Sequence, residues 1–511
     1  MMIAKCLAFT LLSATLTATP ASARWYTASS EHFIVYADDS QNTVRRYAEQ
    51  LELYDKALRY FTKTEDAKVT PSGRVTVFLL SDHEAVAKLT GDDNIGGVYL
   101  PRAGASVAIT ARPTGSTILR DGVDYGTFFH EYAHHFMLTT WSQGAFPAWF
   151  VEGFAEMVGS AVIGEDGAVT LGSVPNNASW DLHREKPIPV ETLLVADPNA
   201  QSLTNGFYGR AWLLTHYLML GGTERQTLGR YIADIANGAT AAEAAKTFGD
   251  MAALDKRLDA YSKRHSLPGL PITADKLVPG TISIRPLTEG EAAVMPVRIR
   301  TAFGVNPRTA AEVAVLARRL AEPFPNDAAA QVALAQAEMN AGHLNEAEAA
   351  ADRVLAVEPR SIDALLAKGN ARMLIAAREQ ITNPARWKEI RGIFGQAAEL
   401  DRTDPRPLIA YHRSFWEARA DTTPDARDAL LLAQQLAPQD VPLRYRTGRV
   451  LASEGETAEA LPLLRGVAND PHNVKAGATA RRLVEALMRK DQTAVKAIIA
   501  ETRPLHAGEV R

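Results

Sequence analysis

Hydrophobic positions in the first half of the chain follow two different periods. β-branched and aromatic residues cluster in 32–37 and 74–80, which predicts two strands, and 97–100 with 105–110 predict a hairpin. Apolar residues recur at helical spacing in six further segments, at 41–62, 82–90, 126–139, 147–161, 208–220 and 224–237. Strands come first and helices later along the chain, so we expect an α+β domain over residues 24–268.

The second half is rich in Ala, Leu and Arg and is repetitive. Between Ala328 and Ser361, small residues at Ala335, Ala347 and Ala351 match the 34-residue tetratricopeptide (TPR) pattern of two antiparallel helices. Prolines recur with spacings of 34, 46, 33 and 33 residues, at Pro325, Pro359, Pro405, Pro438 and Pro471. The spacing of 46 predicts an insertion near 381–384. We expect an all-α TPR solenoid with C-terminal capping helices over 294–511, with a generic helical bundle as the alternative.

Prolines are concentrated between the two halves. They stand at Pro268, Pro271, Pro279, Pro286 and Pro296. Because proline lacks a backbone donor, such a run disfavours long helices and central strands. We therefore predict a linker over residues 269–293, with a short strand at 282–284 left open.

The first 23 residues have the pattern of a secretory signal peptide. Lys5 precedes a short apolar run, and Ala21-Ser22-Ala23 forms a cleavage site before Arg24. A membrane anchor is the alternative, but the run is short and interrupted by Thr and Ser. Cys6, the chain's single cysteine, lies in this segment, so disulfides and thiol chemistry are excluded from the mature chain. We expect a periplasmic or secreted protein with no integral membrane span.

Composition excludes several function classes. With 511 residues, 46% hydrophobic and 22% charged, the chain is typical of a globular protein of two to four domains. A net charge of −4 gives no basic field for nucleic acid. The sequence has no phosphate-binding glycine loop and no G-x-S-x-G nucleophile motif. The arginines Arg444, Arg446 and Arg449 are interpreted as a solvated helix face.

The strongest chemical signal is His130-Glu131-x-x-His134 within the predicted helix 126–139. Residues four apart share a helix face, so the two imidazoles are aimed at one point, as a zinc ion requires. Glu131 lies one step round the helix, where it can accept a proton from water. Two unrelated histidines on a surface helix are the alternative, but the apolar neighbours Phe129 and Phe136 argue for burial.

A zinc site with an open position for water needs a third protein ligand. Glu152 follows His134 by 18 residues on the predicted helix that begins after Pro147, a favoured residue in a first turn. Gly153 removes a side chain where this helix could pack close to the first. Glu156, one turn beyond Glu152, could hydrogen-bond the outer nitrogen of a liganding histidine.

Taken together, His130-Glu131-x-x-His134 and Trp149-x-x-Glu152-Gly153-Phe154-Ala155 resemble the gluzincin metallopeptidases, with an aminopeptidase N-like zinc motif. The resemblance implies a metallopeptidase domain with bound Zn2+, Glu152 as the third ligand, Glu131 as the general base and Glu156 as a supporting acid. The segment from Tyr208 to Leu218 is similar to the aminopeptidase helix that begins with a catalytic tyrosine. This likeness implies that Tyr208 stabilises the oxyanion, with a core aromatic as the alternative. His135, His216 and Tyr217 are expected to be packing or surface residues.

One departure from the aminopeptidase pattern limits the expected activity. Those enzymes carry a Gly-x-Met-Glu-Asn motif, whose Glu holds the substrate amine, and the stretch 96–105 of this chain has no acid. We therefore expect an endopeptidase rather than a strict aminopeptidase. The strand at 105–110 is expected to be the sheet edge that holds an extended peptide.

Two functional hypotheses follow. The first is an exported zinc peptidase whose TPR groove recruits a peptide or protein substrate, or a protein partner. The alternative is a catalytically inactive TPR scaffold that keeps a structural metal site. The intact set of His130, Glu131, His134 and Glu152 favours the first hypothesis.

Overall fold

The computed structural model describes residues 25–65, 69–93, 95–112, 123–174, 187–195, 205–222, 224–470 and 474–502. The predicted signal peptide, residues 1–23, lies outside the described residues. The strands are β1 Trp25–Ser29, β2 Phe33–Asp38, β3 Val75–Leu80, β4 Gly97–Leu100, β5 Val107–Ala111, β6 Val162–Ile163, β7 Val169–Leu171, β8 Leu270–Ile272 and β9 Ser283–Pro286.

Helices of the N-terminal half are α1 Gln41–Thr62, α2 His83–Thr90, α3 Val123–Thr140, α4 Ala148–Gly159, α5 Val190–Leu194, α6 Asn205–Met219, α7 Arg225–Ala236, α8 Ala241–Ala245 and α9 Met251–Ser262. All six predicted helices are confirmed, with boundaries within three residues. Local signals explain this agreement. In α1, for example, Ser40 accepts a hydrogen bond from the Thr43 amide at the first turn, and Lys63 adopts the left-handed conformation beyond the last.

The main sheet has the strand order β4-β5-β3-β2-β1-β9. The predicted hairpin is confirmed, since β4 and β5 pair antiparallel from Gly97 opposite Thr110 to Leu100 opposite Val107. Strands β2, β3 and β5 are parallel to one another, and parallel neighbours need crossover connections, which contain α1 and α2 here. Helices therefore alternate with strands early in the chain. This region is α/β in character rather than the segregated α+β arrangement expected from the sequence.

The predicted linker at 269–293 is wrong in part, because this segment completes both sheets. Strand β8 pairs with β7, and β9 pairs antiparallel with β1, with Tyr26 opposite Pro286. Both strands lie at sheet edges. A proline is tolerated there because its missing N–H can point away from the neighbouring strand, so the sheet loses no hydrogen bond. The proline content that predicted a linker is therefore compatible with edge strands.

The two faces of the main sheet are covered by different parts of the chain. On one face, Phe33, Val35 and Val77 belong to the large core formed with α1, α3 and α4. On the other face, Phe78 and Ile109 pack with residues of helix Met295–Phe303. The predicted domain boundary at residue 294 thus separates this helix from the sheet that it covers.

From residue 289 onward, the regular elements of the described residues are all helices. They are α10 Glu289–Ala293, α11 Met295–Phe303, α12 Pro307–Ala321, α13 Ala328–Asn340, α14 Leu344–Val357, α15 Ile362–Arg378, α16 Pro384–Leu400, α17 Pro405–Glu417, α18 Pro424–Leu436, α19 Val441–Glu454, α20 Thr457–Ala468, α21 Val474–Met488 and α22 Gln492–Glu501. Successive helices pack on one another as the TPR pattern requires. The predicted insertion near 381–384 is mainly a lengthening of α15 and α16 to 17 residues each. No helix in the described part of the chain is both long enough and apolar enough to cross a bilayer.

The helical stack returns to contact the N-terminal region. At the tip of the β4–β5 hairpin, the Ala103 amide donates to Asp440 over 2.8 Å, and the Gln439 side-chain amide donates to the Arg102 carbonyl over 3.0 Å. The Arg444 guanidinium donates to the Ser142 carbonyl, in the loop after α3, over 2.8 Å. The stack is therefore joined to both elements that flank the candidate zinc helix.

Candidate metal centre

Helices α3 and α4 bring His130, His134 and Glu152 together. The Nε2 atoms of His130 and His134 lie 3.1 Å apart. The Glu152 Oε2 atom lies 3.5 Å from Nε2 of His130 and 3.8 Å from Nε2 of His134. In the described part of the chain, no other group of three His, Cys, Asp or Glu residues offers ligand atoms this close together.

These separations fit a zinc ion. Zinc bonds of about 2.0–2.2 Å in tetrahedral geometry place neighbouring ligand atoms about 3.4 Å apart. The distances of 3.1, 3.5 and 3.8 Å lie around that value. Two imidazole nitrogens and one carboxylate oxygen are also the donor set of catalytic sites that keep a fourth position open. The residues present therefore fit the cofactor that the sequence predicted.

Negative charge surrounds the two imidazoles. The Glu156 Oε1 atom lies 3.3 Å from Nδ1 of His130, as predicted for a supporting acid. Burial lowers the pKa of His130, but hydrogen bonds and charges from Glu152 and Glu156 outweigh burial and hold that pKa well above its usual value. The site attracts positive charge, which a divalent cation would supply.

Tyr208, on α6, lies within electrostatic reach of the carboxylates at this centre. Burial raises the pKa of Tyr208 above its usual value, and the charges of Glu152, Glu156 and Glu131 raise it further. The phenol therefore lies within electrostatic reach of the ligand carboxylate and of the candidate base. It also stays protonated at neutral pH, as a hydrogen-bond donor must.

Two glycines let three helices meet at this centre. A Cβ atom at Gly159 would lie 3.0 Å from the Cα and N atoms of His130, so the end of α4 packs against the backbone of this candidate ligand. A Cβ atom at Gly153 would lie 2.4 Å from the Ala211 carbonyl oxygen in α6. The close approach predicted at Gly153 thus exists, but its partner is α6, the Tyr208 helix, and the contact with α3 falls at Gly159.

Replacing Gly153 with Ala is expected to destabilise the fold and impair the centre. Overpacking costs about 1–3 kcal/mol, and α4 and α6 must separate to relieve it. Glu152 and Tyr208 would then move apart. Thermal unfolding and zinc titration measure both effects. The matched control is Gly392→Ala in α16, where the added methyl meets no atom within 4 Å; zinc binding should stay native, and the unfolding temperature should stay level or rise slightly because alanine favours a helix by about 1 kcal/mol over glycine. Equal unfolding temperatures for the two variants would contradict this account.

A buried polar network on another face of α3 was not predicted from the sequence. Tyr132 donates to Asp55 over 2.7 Å, and Arg59 donates to the same carboxylate over 2.6 Å. Glu52, one turn earlier on α1, lies 2.8 Å from Nδ1 of His32. Burial opposes charge on His32, but its hydrogen bond to Glu52 and the nearby carboxylates raise its pKa overall. Through Tyr132, this network ties α3 to α1 and helps to orient the face of α3 that carries the candidate ligands His130 and His134.

The remaining histidines and tyrosine have structural roles. Nδ1 of His135 lies 2.6 Å from the Tyr99 hydroxyl, and burial lowers the pKa of His135 to about 3. His216 is fully buried, 2.9 Å from the Tyr261 hydroxyl and from the Gly172 carbonyl. Tyr217 packs edge-on against Tyr261. None of these side chains joins the ligand set.

The sheet edge differs from the prediction. Strand β5, which contains most of the predicted edge at 105–110, is buried along its length and pairs on both sides. The edge is β4, whose four residues are half-buried. Strand β5, Val107–Ala111, is apolar except for Thr110, which suits an interior position between β3 and β4.

Comparison with known proteins assigns the chain to no family. No protein-family profile matches the chain, and no curated protein matches it. Among solved structures, the chain is similar to a thermophilic TPR protein of Thermus thermophilus, with 15% identity, a TM-score of 0.32, and coverage of 38% of this chain and 99% of that one. It is also similar to the MamA RS-1 ArsTM double mutant, with 15% identity, a TM-score of 0.26, and coverage of 40% and 97%.

Proposed function

We propose that this protein is an exported zinc-dependent peptidase of gluzincin type that acts as an endopeptidase, with TPR repeats that recruit its substrate or a partner. The observation that carries the proposal is the convergence of His130, His134 and Glu152 from two helices. Glu131 adjoins His130 in the chain, and Tyr208 lies within electrostatic reach of Glu131, Glu152 and Glu156. A metal held only for structure would need neither a base nor a protonated phenol beside it.

Each residue has a distinct role in this proposal. His130, His134 and Glu152 would hold the ion, and Glu156 would fix the orientation of His130. Zinc in such a site lowers the pKa of a bound water to about 7 and polarises a carbonyl group. Glu131 accepts the proton of the attacking water and returns it to the leaving amine. Tyr208 donates a hydrogen bond to the developing oxyanion.

Replacing Tyr208 with Phe is expected to lower kcat by about 10²–10³-fold, because loss of an oxyanion donor has that effect in other hydrolases. KM and zinc content should change little, since the phenyl ring preserves packing against Phe207. Steady-state kinetics with metal analysis measure these quantities. Tyr217→Phe is the matched control on the same helix and should keep native kcat. If Tyr208→Phe kept native kcat, the phenol would have no role in the chemistry.

The proposal is tested by incubating the full chain with an unfolded protein pool and following cleavage by mass spectrometry. We expect cleavage that a chelator abolishes and added zinc restores. Cleavage that persists without metal would overturn the zinc assignment. Stoichiometric zinc without cleavage would favour the alternative of an inactive TPR scaffold.

A further inference from the structure

We propose that Tyr99 and His135 are positioning residues that hold the edge strand β4 beside the candidate base Glu131, and thereby set where a bound peptide lies relative to that base. This inference rests on the proposed peptidase function and specifies how its substrate is placed. It extends the structural role of His135, because the hydrogen bond made by this side chain also joins α3 to the edge of the main sheet.

One row of side chains on α3 contains the candidate base. Thr127, Glu131 and His135 are spaced four residues apart, so they lie along one side of the helix. From Thr127 to His135 is eight residues, about 12 Å along the helix axis, with Glu131 at the midpoint. His130 and His134 each precede a member of this row by one residue. The row therefore borders the face of α3 that carries the candidate ligands.

The chain at β4 contacts α3 at both ends of this row. The Tyr99 hydroxyl lies 2.6 Å from Nδ1 of His135, and the two rings meet edge-on with centroids 5.7 Å apart. Just before β4, a Cβ atom at Gly96 would lie 3.6 Å from the Thr127 hydroxyl oxygen. Three residues of extended chain span about 10 Å, which is close to the length of helix between the two contacts. The strand therefore runs alongside the row and passes Glu131.

The open side of β4 is available to an extended peptide. Val98 and Leu100 pack against the cluster that α11 covers, whereas the Tyr99 side chain points to the opposite sheet face, toward α3. Within the described residues, β4 pairs with β5 alone, so main-chain groups on its other side can pair with an added strand. A peptide bound there would lie next to the row that contains Glu131.

The hydrogen bond between Tyr99 and His135 joins two packed side chains. His135 is 6% exposed and stacks on Tyr132, with ring centroids 5.4 Å apart. The Tyr132 hydroxyl in turn donates to Asp55 of α1 over 2.7 Å. Without the Tyr99 hydroxyl, β4 would lose this attachment and could shift along α3. A misplacement of about 1 Å can lower an enzymatic rate by about 10²-fold, because the reacting atoms are no longer aligned.

The test uses a casein decapeptide that the zinc-loaded Glu131→Gln chain binds, and a blocked dipeptide that reproduces its central bond. The decapeptide is long enough to pair along β4, and the dipeptide is not. Tyr99→Phe is expected to lower kcat for the decapeptide at least about tenfold, with KM little changed because the β4 backbone is intact. The dipeptide gains nothing from β4 and should lose far less, whereas a general loss of stability would affect both substrates alike. Tyr36→Phe is the matched control, since its ring stacks on Phe78 at the other sheet face, and it should leave both rates native.

Two substitutions at His135 separate the hydrogen bond from packing. His135→Phe keeps a ring against Tyr132 but removes the hydrogen-bonding atom, so it should reproduce the effect of Tyr99→Phe on the decapeptide. His135→Asn places an amide group where Nδ1 lies and should restore most of the native kcat. In the double variant Tyr99→Phe with His135→Phe, the two losses should not add, because both substitutions remove one interaction.

Equal losses for the two substrates in Tyr99→Phe, or additive losses in the double variant, overturn this inference. Native kcat of Tyr99→Phe on a decapeptide that the wild-type chain cleaves overturns the positioning role alone. Hydrogen exchange on the zinc-loaded Glu131→Gln chain separates the two proposals without turnover. Protection of amides 97–100 by the decapeptide, weakened by Tyr99→Phe, with no cleavage by the wild-type chain, would overturn the peptidase function and leave β4 as a peptide-binding strand held by Tyr99.

Discussion

The Glu131→Gln variant is expected to lose peptide hydrolysis while keeping its metal. General acid–base catalysis by a positioned side chain contributes about 10²–10⁴-fold, and an amide can neither accept nor return the proton. His130, His134 and Glu152 are unchanged in this variant, so zinc stoichiometry should stay near one. Cleavage rate and metal content, measured on the same preparation, give the result.

A control for the Glu131→Gln variant is Glu165→Gln, which removes an exposed carboxylate in the turn between β6 and β7. The Glu165→Gln substitution removes the same negative charge as Glu131→Gln and should leave the rate of peptide cleavage unchanged. Full activity in Glu131→Gln would show that another group activates water. Loss of zinc together with activity would show that Glu131 supports the ligand set instead.

Local spacing explains why the candidate ligands could be found in the sequence. The helical period alone puts His130 and His134 on one face of α3, and seven residues connect α3 to α4. A connection that short favours packing of the two helices against each other, so Glu152 could be predicted to approach the histidines. The measured separations of 3.5 and 3.8 Å agree with that expectation.

Contacts between distant parts of the chain could not be predicted in the same way. Tyr132 donates to Asp55 across 77 residues, His32 lies 3.4 Å from the same carboxylate, and no periodic pattern connects the three residues. Similarly, Gly153 predicted a close contact with another helix but did not show which helix. A glycine indicates that a side chain would not fit there, not which element lies opposite. The contact between Asp440 and Ala103 spans 337 residues. The long-range contacts that support the candidate metal centre could therefore be identified only from the three-dimensional structure.

The Glu152→Ala variant is expected to lose stoichiometric zinc and, with it, all cleavage. Glu152 is fully buried and is the proposed third ligand, so its loss would leave two imidazoles, which hold zinc far more weakly than three ligands do. The isosteric Glu152→Gln variant keeps the packing of α4 and should show the same loss, which separates metal binding from a folding defect. Atomic absorption after dialysis gives the zinc content, and circular dichroism checks that each variant is folded.

Glu156→Gln provides a graded control for the Glu152 variants. Its side chain contacts Nδ1 of His130 rather than the ligand face, so zinc affinity should fall by about 10–100-fold while saturating zinc still gives one ion per chain. Zinc affinity should therefore be highest in the native protein, lower in Glu156→Gln and lowest in Glu152→Gln. The reason is that Glu152 would bind the ion itself, whereas Glu156 would act through His130. Unchanged zinc content in both Glu152 variants would remove that residue from the ligand set and, with it, the case for an open catalytic site.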